Sequence, residues 1–327
     1  MDYKGIKEYL KQDLEGVNAL MGKSLSSDIA LLDKTNKSVL AHSGKQIRPV
    51  LCLLAARACS GGFVTEDTLL YASAVELLHN ATLLHDDVAD DSPMRRGVPT
   101  VMSLLGGRAS VLLGDYWLVK GMENILASAN SSAKVIRIFA ATLSDLAEGE
   151  LLQLQKADTG DTLEQDYYKI IYNKTSSLFV AAATSGAMSV GASEEKMKAV
   201  RTYAKCLGQA FQIKDDILDY DGDSRIGKPM GNDLRERKIT LPLLGALANS
   251  EKDEEREVRR MVCEIEQHPE HQEEIVKFVR ERGGIAYACS KLSEYVENAK
   301  IQLRALGGGA DVAMLADIAD FVSMRKS

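Results

Sequence analysis

The sequence predicts an all-α protein, a single large helical bundle. Three observations carry this prediction: helical periodicity of apolar residues dominates the chain, strict alternation of apolar and polar residues is scarce, and only six prolines occur in 327 residues. Because 45% of the residues are hydrophobic, the chain can bury a large core. We find no low-complexity linker and no short repeat, so we expect one domain over residues 1–327.

The helix ends follow from breakers and caps in the sequence. Residues 6–32 carry a helical pattern, and Pro49 opens an apolar helix that Gly61 and Gly62 end. Thr65 caps the next helix, which runs to an acidic cluster. Five later segments also have helical patterns: 110–126, 133–154, 163–178, 194–220 and 254–266.

Composition and charge exclude several classes of function. The net charge of -7 argues against nucleic acid as a partner. No apolar run approaches the roughly 18 residues that a membrane span needs, and the charged start of the chain lacks the apolar core of a signal peptide. The five cysteines have no C-x-x-C spacing, which argues against a zinc site or a disulfide framework. We therefore expect a cytoplasmic protein without a membrane span.

The first acid cluster stands at the end of an apolar helix. Residues 76–85 are mostly apolar, and Asp86, Asp87 and Asp90 follow them. Positions i and i+4 share one face of a helix, so the carboxylates of Asp86 and Asp90 project together. An exposed acidic helix end is the simpler interpretation of one such cluster. A second cluster with the same pattern favours a binding site instead.

The second cluster is Asp215, Asp216 and Asp219, again after an apolar run. If the two clusters face each other across the bundle, their charges are tolerable only when metal ions neutralise them. Carboxylate oxygens suit Mg2+, which commonly bridges one or two carboxylates to phosphates. The cations near these segments suit a ligand with several phosphate oxygens. They are Lys45, Arg48, Arg95, Arg96, Lys174, Lys214, Lys228 and Lys238.

Two other binding motifs do not fit. Residues 219–230 imitate the start of an EF-hand calcium loop, but Ser224 stands where the loop requires glycine and Met230 where it requires glutamate. A G-x-x-x-x-G-K-[ST] phosphate loop is absent from the sequence. His79 stands in line with the first acids, so a buried core histidine and a ligand-binding histidine are both open.

The helix that leads to Asp86 is lined with small and apolar residues. Ala74, Leu77, Leu78, Ala81 and Thr82 suggest an apolar slot beneath the acids. An allylic diphosphate needs this arrangement, because metal ions withdraw the anionic leaving group while the hydrocarbon stays away from water. A double bond then attacks the resulting cation, so the chemistry needs no Ser-His-Asp or Cys-His arrangement.

The chain resembles the trans-isoprenyl diphosphate synthases, most closely the long-chain polyprenyl members of octaprenyl or solanesyl type. The motifs that carry the resemblance keep their order and spacing over nearly the whole length. They are GKQIRP at 44–49, ELLHNATLLHDDVADD at 76–91, RRGVPT at 95–100, LLGDYWL at 112–118, EGELLQL at 148–154, KTSSLF at 174–179, FQIKDDILDYDGD at 211–223, GKPMGNDL at 227–234 and KITLPLL at 238–244. The resemblance implies a helical bundle around a central apolar cavity, Mg2+ as cofactor and a homodimer. It implies isopentenyl diphosphate and a farnesyl- or geranyl-type allylic diphosphate as substrates.

The resemblance also implies roles for single residues. Those that would bind Mg2+ are Asp86, Asp90, Asp215, Asp216 and Asp219. Those that would hold the allylic diphosphate are Arg95, Lys174 and Lys228, with Thr175 and Gln212 against the reacting carbons. Those that would bind isopentenyl diphosphate are Lys45, Arg48, His79 and Arg96. The catalytic set would be Asp86, Asp90, Arg95, Lys174 and Lys228, acting by ionisation, condensation and proton loss to the departing pyrophosphate.

Two positions depart from the family pattern. Gln46 stands where a basic residue is frequent, which weakens the case for a strong isopentenyl diphosphate site. Arg237 stands where glycine is frequent, which affects only the conformation of a loop.

Product length follows from the helix before Asp86. Each helical turn advances about 5.4 Å, on the order of one extended isoprene unit. Short-chain family members carry bulky aromatics at the positions of Ala81 and Thr82, and the small residues here leave the tunnel open. Leu78 would lie in the next turn, and another helix would supply the floor, with Met122 as our choice. Packing of Ala81 against a neighbouring helix is the simpler alternative.

Two other functions stay open. A terpene cyclase or a head-to-head condensing enzyme has a related fold but usually lacks the second complete DD-x-x-D and the isopentenyl diphosphate site. A non-catalytic subunit of a heteromeric synthase tends to lose acids from one cluster, whereas this chain keeps both. The expected product is a long all-trans polyprenyl diphosphate, and family analogy suggests a quinone side chain as its use.

Overall fold

A computed structural model describes residues 1–42, 44–129, 132–221 and 231–325, with only the backbone described at residue 221. The regular secondary structure of the described residues is helical apart from one pair of two-residue strands, so the all-α prediction is confirmed. The chain divides into two compact units. The first comprises Met1–Ala140, Ala181–Arg201 and Ala305–Leu315, and the second comprises Ala141–Val180, Thr202–Arg304 and Ala316–Ser327. The single domain over residues 1–327 stays a prediction.

The first unit contains seven whole helices among its described residues and one β-hairpin. The helices are α1 (Tyr3–Tyr9), α2 (Lys11–Ser24), α3 (Ala30–Ala41), α4 (Ile47–Ser60), α5 (Glu66–Ala89), α6 (Val101–Leu105) and α7 (Gly107–Ala127). The hairpin pairs β1 (Met94–Arg95) with β2 (Val98–Pro99) in antiparallel register.

The helix ends around α4 and α5 follow their sequence signals. Gly61 ends α4 in the left-handed region, at a φ of 82°, as its lack of a side chain allows. Thr65 caps α5, and its hydroxyl accepts a hydrogen bond from the N–H of Thr68 at 3.2 Å. The predicted start of α4 at Pro49 is wrong by two residues. The helix begins at Ile47, because the first-turn N–H groups of a helix have no partner and proline is tolerated there.

Helix α5 is the centre of the first unit. It packs against α2, against α4 and most extensively against α7. Three glycines at intervals of seven residues, Gly107, Gly114 and Gly121, share one face of α7 and allow this close approach. A Cβ on Gly121 would lie 3.2 Å from Leu78, and one on Gly114 would lie 2.3 Å from His85.

The second unit is built around helices from the C-terminal half of the chain. The helices that lie wholly within it are α9 (Glu164–Ile171), α12 (Asn232–Arg235), α13 (Leu241–Ala248), α14 (Lys252–Cys263), α15 (His271–Glu281) and α16 (Gly284–Gln302). Helices α8 (Ala133–Thr159), α10 (Ser177–Ser189), α11 (Glu194–Asp221) and α17 (Ala310–Met324) contribute residues to both units, as does a 3-10 turn at Leu303–Leu306. None of the described helices is long and apolar enough to cross a membrane.

The segment 163–178, which the sequence predicts as continuous helix, is interrupted in the structure. Helix α9 ends at Ile171, one π-helical turn spans Tyr172–Ser176, and α10 begins at Ser177. Such turns are rare and often occur at functional sites. The apolar periodicity does not reveal this turn, because one extra residue per turn barely changes the pattern.

Candidate active site

The acids of the first cluster occupy different environments at the end of α5. Asp86 is half-buried in the last turn, whereas Asp90 is exposed and is the residue at which the helix ends. Asp87 is buried and accepts a hydrogen bond from Nε of Arg95 at 2.6 Å. A guanidinium carries five N–H donors, so this contact positions Arg95 and uses only one of its donors.

Arg95 is the last residue of a strand, and Arg96 is the first residue of the tight hairpin turn that follows it. Strand β1 ends at Arg95, and the turn residues Arg96 and Gly97 both have positive φ angles, 53° and 80°. Two-residue turns of this kind match the twist of the flanking strands. The turn therefore gives the two neighbouring arginines different directions.

The loop before α4 meets this hairpin. Nη1 of Arg96 donates to the backbone carbonyl of His42 at 2.8 Å. A Cβ on Gly44 would lie only 2.6 Å from Cζ of Arg96, so the guanidinium lies directly over this glycine. The carbonyl of Lys45 accepts a hydrogen bond from the Tyr3 hydroxyl at 2.9 Å. The GKQIRP loop and Arg96, which the sequence predicts to share a substrate, thus share one region of the first unit.

Glu76 lies beside the residues predicted to bind isopentenyl diphosphate. Its side chain is 1% exposed, and burial raises its pKa to about 7 although the charges of Arg48 and Arg96 oppose the rise. Burial, followed by the same two arginine charges, lowers the pKa of His79 well below its usual value. His79 is therefore a neutral hydrogen-bonding group at pH 7.

The departure at Gln46 has a structural explanation. Gln46 is buried, and its amide donates to Oδ1 of Asn18 at 2.8 Å. Its backbone is left-handed, with a φ of 58°. The side chain that replaces a frequent basic residue thus packs against α2 and contributes no charge.

The residues predicted to control product length lie on the faces of α5 next to the acids. Ala81 is fully buried on the same face as Leu78, which contacts Gly121 of α7. Thr82 donates to the carbonyl of His79 at 2.8 Å. Met122 follows Gly121 on α7, so the helix opposite Ala81 is also the one that carries the proposed floor.

The π-helical turn of the second unit carries Lys174 and Thr175. Two glycines on neighbouring helices accommodate it: a Cβ on Gly149 of α8 would lie 2.7 Å from Asn173, and one on Gly208 of α11 would lie 2.6 Å from Cα of Ser176. The ammonium of Lys174 pairs with Glu150 of α8.

Hydrogen bonds link the site residues of the second unit in a chain. Thr175 Oγ donates to Oε1 of Gln212 at 2.8 Å, and Nε2 of Gln212 donates to Oδ1 of Asp216 at 2.9 Å. The Tyr167 hydroxyl donates to Oδ2 of Asp216 at 2.6 Å. All four residues, with Lys174, line a cavity of about 140 Å³.

The three acids of the second cluster have different partners. Asp215 pairs with Nη1 of Arg325 at 2.9 Å. Asp216 is buried, and burial raises its pKa to about 7. Asp219 accepts hydrogen bonds from the N–H groups of Asn232 and Asp233 at 3.0 Å and 3.1 Å, so it holds the start of α12.

Five residues of these surroundings are not among those that the sequence singled out: Glu76, Glu150, Tyr167, Asp233 and Arg325. Glu76, Glu150 and Asp233 stand within the quoted motifs, and for Glu76 and Glu150 an acid inside an apolar helical run was the available signal. Asp233 is half-buried, and its pKa is raised well above the usual value, first by desolvation and then by the charges of Asp216 and Asp219. Tyr167 and Arg325 have no comparable signal in the sequence.

The predicted metal ligands divide between the two units. Asp86 and Asp90 belong to the first, and Asp215, Asp216 and Asp219 belong to the second. Their all-oxygen donors suit a hard divalent cation. In the described part of the chain, three side chains that could bind a metal have donor atoms within 4.8 Å of one another. They are His268, Glu270 and His271 at the surface, and none of them is a predicted ligand. A cation held by one or two carboxylates and by substrate phosphates does not need such a group. Lys228 lies outside the described residues.

Comparisons with known proteins cover nearly the whole chain. Residues 29–280 match the family model for polyprenyl synthetase. The chain is 38% identical over 263 residues to octaprenyl diphosphate synthase of Escherichia coli (strain K12), covering 80% of each protein. It is 34% identical over 297 residues to a short chain isoprenyl diphosphate synthase of Methanothermobacter thermautotrophicus, covering 90% of each. It is 34% identical, with a TM-score of 0.91, to the crystal structure of a polyprenyl synthase from Caulobacter crescentus CB15 complexed with calcium and isoprenyl diphosphate. That match covers 100% of this chain and 98% of the other.

Proposed function

This chain belongs to the polyprenyl synthetase family and is a trans-prenyltransferase, and we propose that it makes a long-chain all-trans polyprenyl diphosphate with Mg2+ as its metal. Family members use divalent metal ions, and their substrates are isopentenyl diphosphate and allylic diphosphates. The proposed reaction is repeated head-to-tail condensation of isopentenyl diphosphate onto a farnesyl- or geranyl-type primer. A quinone side chain is the proposed use of the product, and the cytoplasm is the proposed location.

The first unit would bind isopentenyl diphosphate. Arg48 and Arg96 supply positive charge for the diphosphate, and neutral His79 supplies a hydrogen bond. Lys45 stands beside them in the loop before α4. The buried carboxyl group of Glu76 in the same place interacts with the charges of Arg48 and Arg96.

The allylic diphosphate would be held by Arg95, Lys174 and Lys228. Bound Mg2+ at the aspartates would supply further positive charge for the leaving group. When the allylic C–O bond breaks, positive charge develops on carbon, and the oxygen dipoles of Thr175 and Gln212 stabilise it. The double bond of isopentenyl diphosphate attacks this carbon, and the departing pyrophosphate accepts the proton that is lost.

The observation that carries the proposal is the hydrogen-bonded chain of Thr175, Gln212 and Asp216, which lines the same cavity as Lys174. The small side chains of Ala81 and Thr82 support a long product, as does similarity to an octaprenyl diphosphate synthase. Because the chain is also similar to a short chain isoprenyl diphosphate synthase, the test of the proposal measures product length.

The test is mass spectrometry of the products formed by the purified protein from isopentenyl diphosphate and farnesyl diphosphate with Mg2+. We expect a ladder of all-trans polyprenyl diphosphates that ends at a product longer than geranylgeranyl diphosphate. A cyclic or head-to-head product, without consumption of isopentenyl diphosphate, would identify a different reaction class. No turnover by the protein alone, but turnover after addition of a second chain, would identify a subunit of a heteromeric synthase.

We also propose that the chain forms a homodimer through α7. The face of this helix opposite the glycines exposes Leu112, Val119 and Leu126, at intervals of seven residues. An apolar stripe of this kind suits a second copy of itself across a two-fold axis. Val119→Glu should convert the dimer to a monomer in light scattering, whereas the matched change Ile301→Glu on α16 should not. A monomeric wild-type protein, or a dimer that survives Val119→Glu, would contradict this assignment.

A further inference from the structure

We propose that Asp216 and Tyr167 are positioning residues that set the direction of the dipole which Thr175 and Gln212 present to the reacting carbons. This inference rests on the proposed function, because it concerns the same cavity and the same developing positive charge. It gives Asp216 a role other than that of a metal ligand, which the family resemblance implies for it.

Both carboxylate oxygens of Asp216 are engaged in hydrogen bonds. Tyr167 donates to Oδ2 at 2.6 Å and Gln212 donates to Oδ1 at 2.9 Å. The side chain of Asp216 is 3% exposed. Asp215, its neighbour, is much more exposed and pairs with Arg325 instead. The two acids thus face different partners although they are adjacent in the sequence.

The direction of the hydrogen bonds follows from the chemistry of the groups. Both oxygens of Asp216 accept hydrogen bonds, so the oxygen that faces Gln212 selects its amide nitrogen and turns the amide oxygen toward Thr175. That oxygen, in turn, only accepts, so the Thr175 hydroxyl must give it its hydrogen at 2.8 Å. The oxygen lone pairs of Thr175 are then directed away from Gln212.

This polarity is the one that an allylic cation requires. Thr175, Gln212 and Asp216 all line the cavity of about 140 Å³. An oxygen lone pair directed at carbon stabilises positive charge, whereas a hydroxyl hydrogen directed at it would destabilise the charge. Without Asp216, the amide of Gln212 could turn over and the hydroxyl of Thr175 could reverse with it. Tyr167 prevents this at the far end, because it holds the carboxylate in place.

The experiment compares Tyr167→Phe with Tyr168→Phe. The ring of the neighbouring Tyr168 packs against Tyr167 and Tyr295, and its hydroxyl hydrogen-bonds with Glu164 and not with Asp216, so it is a matched control for loss of one hydroxyl. We expect Tyr167→Phe to lower kcat about tenfold, the effect of losing one hydrogen bond to a charged group. The KM values for both substrates and the midpoint of Mg2+ activation should stay as in the wild type, and Tyr168→Phe should leave all of them unchanged.

A double-mutant cycle gives a second test that a folding defect does not imitate. Thr175→Val removes the oxygen that the chain of hydrogen bonds orients, and Thr175→Ser restores it. Once Thr175→Val is present, Tyr167→Phe should have little further effect on kcat, whereas with Thr175→Ser it should again lower kcat about tenfold. Additive effects of Tyr167→Phe and Thr175→Val would overturn the inference.

The remaining outcomes are also decisive. If Tyr167→Phe shifts the midpoint of Mg2+ activation and leaves kcat unchanged, Asp216 acts as a metal ligand and the inference is overturned. Unchanged kcat in Tyr167→Phe, with an active wild type, would overturn it and leave the proposed function intact. An inactive wild type would refute the proposed function itself.

Discussion

Glu76 and Asp216 are buried carboxyl groups whose pKa values are both raised to about 7, yet their surroundings differ. Asp216 receives hydrogen bonds from two neutral side chains, Tyr167 and Gln212. Glu76 is faced by the charges of Arg48, Arg96 and Lys7. The carboxyl group of Asp216 is thus suited to orient neutral dipoles, and that of Glu76 to balance cations where an anionic substrate would arrive.

The raised pKa of Glu76 predicts a pH-dependent effect on stability. Its pKa is about 7 in the folded protein against 4.5 as the ordinary value, so the folded state keeps a proton that the unfolded chain releases between these values. The contribution to the free energy of unfolding is therefore complete below pH 4.5 and is lost as the pH rises through about 7. Glutamine does not titrate, so Glu76→Gln does not lose stability in this way as the pH rises. The difference in Tm, variant minus wild type, should therefore be larger at about pH 8 than at about pH 5.

Calorimetry of the substrate-free protein measures this difference. Glu66→Gln, at an exposed position in the first turn of the same helix, is the matched control and should show the same Tm offset at both pH values. An offset for Glu76→Gln that is independent of pH would mean that this carboxyl group does not titrate in the expected range.

Ala81 gives a prediction on product length. Phenylalanine at this fully buried position would occupy the space between α5 and α7 and shorten the tunnel. Mass spectrometry should show shorter prenyl diphosphates from Ala81→Phe, whereas Ala305→Phe, at an exposed position, should leave the products unchanged. An unaltered product distribution in folded Ala81→Phe would favour simple packing of Ala81 against α7.

At the scale of single elements, the π-helical turn at Tyr172–Ser176 depends on close contact with two helices. Gly149 and Gly208 lie where any side chain would displace the turn that carries Lys174 and Thr175. These glycines are needed for close approach and not for a positive φ angle, since neither has one. Their positions link the packing of α8 and α11 to the placement of the site residues.

Gly208→Ala should therefore reduce both stability and kcat, because its Cβ would lie 2.6 Å from Cα of Ser176 and the turn must move. Gly22→Ala is the control: this residue is exposed within α2 with no atom within 4 Å of the added Cβ. That change should stabilise the protein by about 0.5–1 kcal/mol and leave kcat unchanged. Thermal unfolding and steady-state kinetics of both variants measure the effects. A wild-type kcat in Gly208→Ala would show that the position of the π-helical turn does not affect catalysis.

At the scale of the whole chain, the C-terminal end returns to the second acid cluster. The guanidinium of Arg325 pairs with Asp215, donates to the carbonyl of Phe211 at 2.7 Å, and lies 3.9 Å from the centre of the Phe211 ring. The side chain of Arg325 is 5% exposed, whereas that of Asp215 is 42% exposed. The last described residue thus belongs to the surroundings of the site.

Arg325→Gln should lower the free energy of unfolding by about 1–2 kcal/mol, because it removes a buried charged hydrogen bond while the ion pair itself is partly screened by water. It should also lower the Mg2+ concentration needed for half activation, since a cation beside Asp215 is removed. Arg304→Gln, at an exposed position, should change neither quantity. Denaturant unfolding measures the free energy of unfolding, and titration of activity with Mg2+ measures the concentration for half activation. A raised or unchanged Mg2+ requirement would show that Arg325 does not oppose the metal.

The features that depend on near neighbours and on residue identity follow from the sequence alone. Helical periodicity, the cap at Thr65 and the end at Gly61 predict all-α structure correctly, because helices form through contacts within a few residues. The order and spacing of the motifs identify the family. The site residues follow from those motifs as predictions, since residue type limits the chemistry that each position can perform.

The partner of each of these residues, in contrast, depends on the packing of the helices. Asp216 meets Tyr167 across 49 residues, and Arg325 reaches Phe211 across 114 residues. No local pattern encodes such pairs, because they arise when helices distant in the sequence pack together and buried polar groups must find partners. The π-helical turn has the same origin, since Gly149 and Gly208 on neighbouring helices leave the space that it occupies.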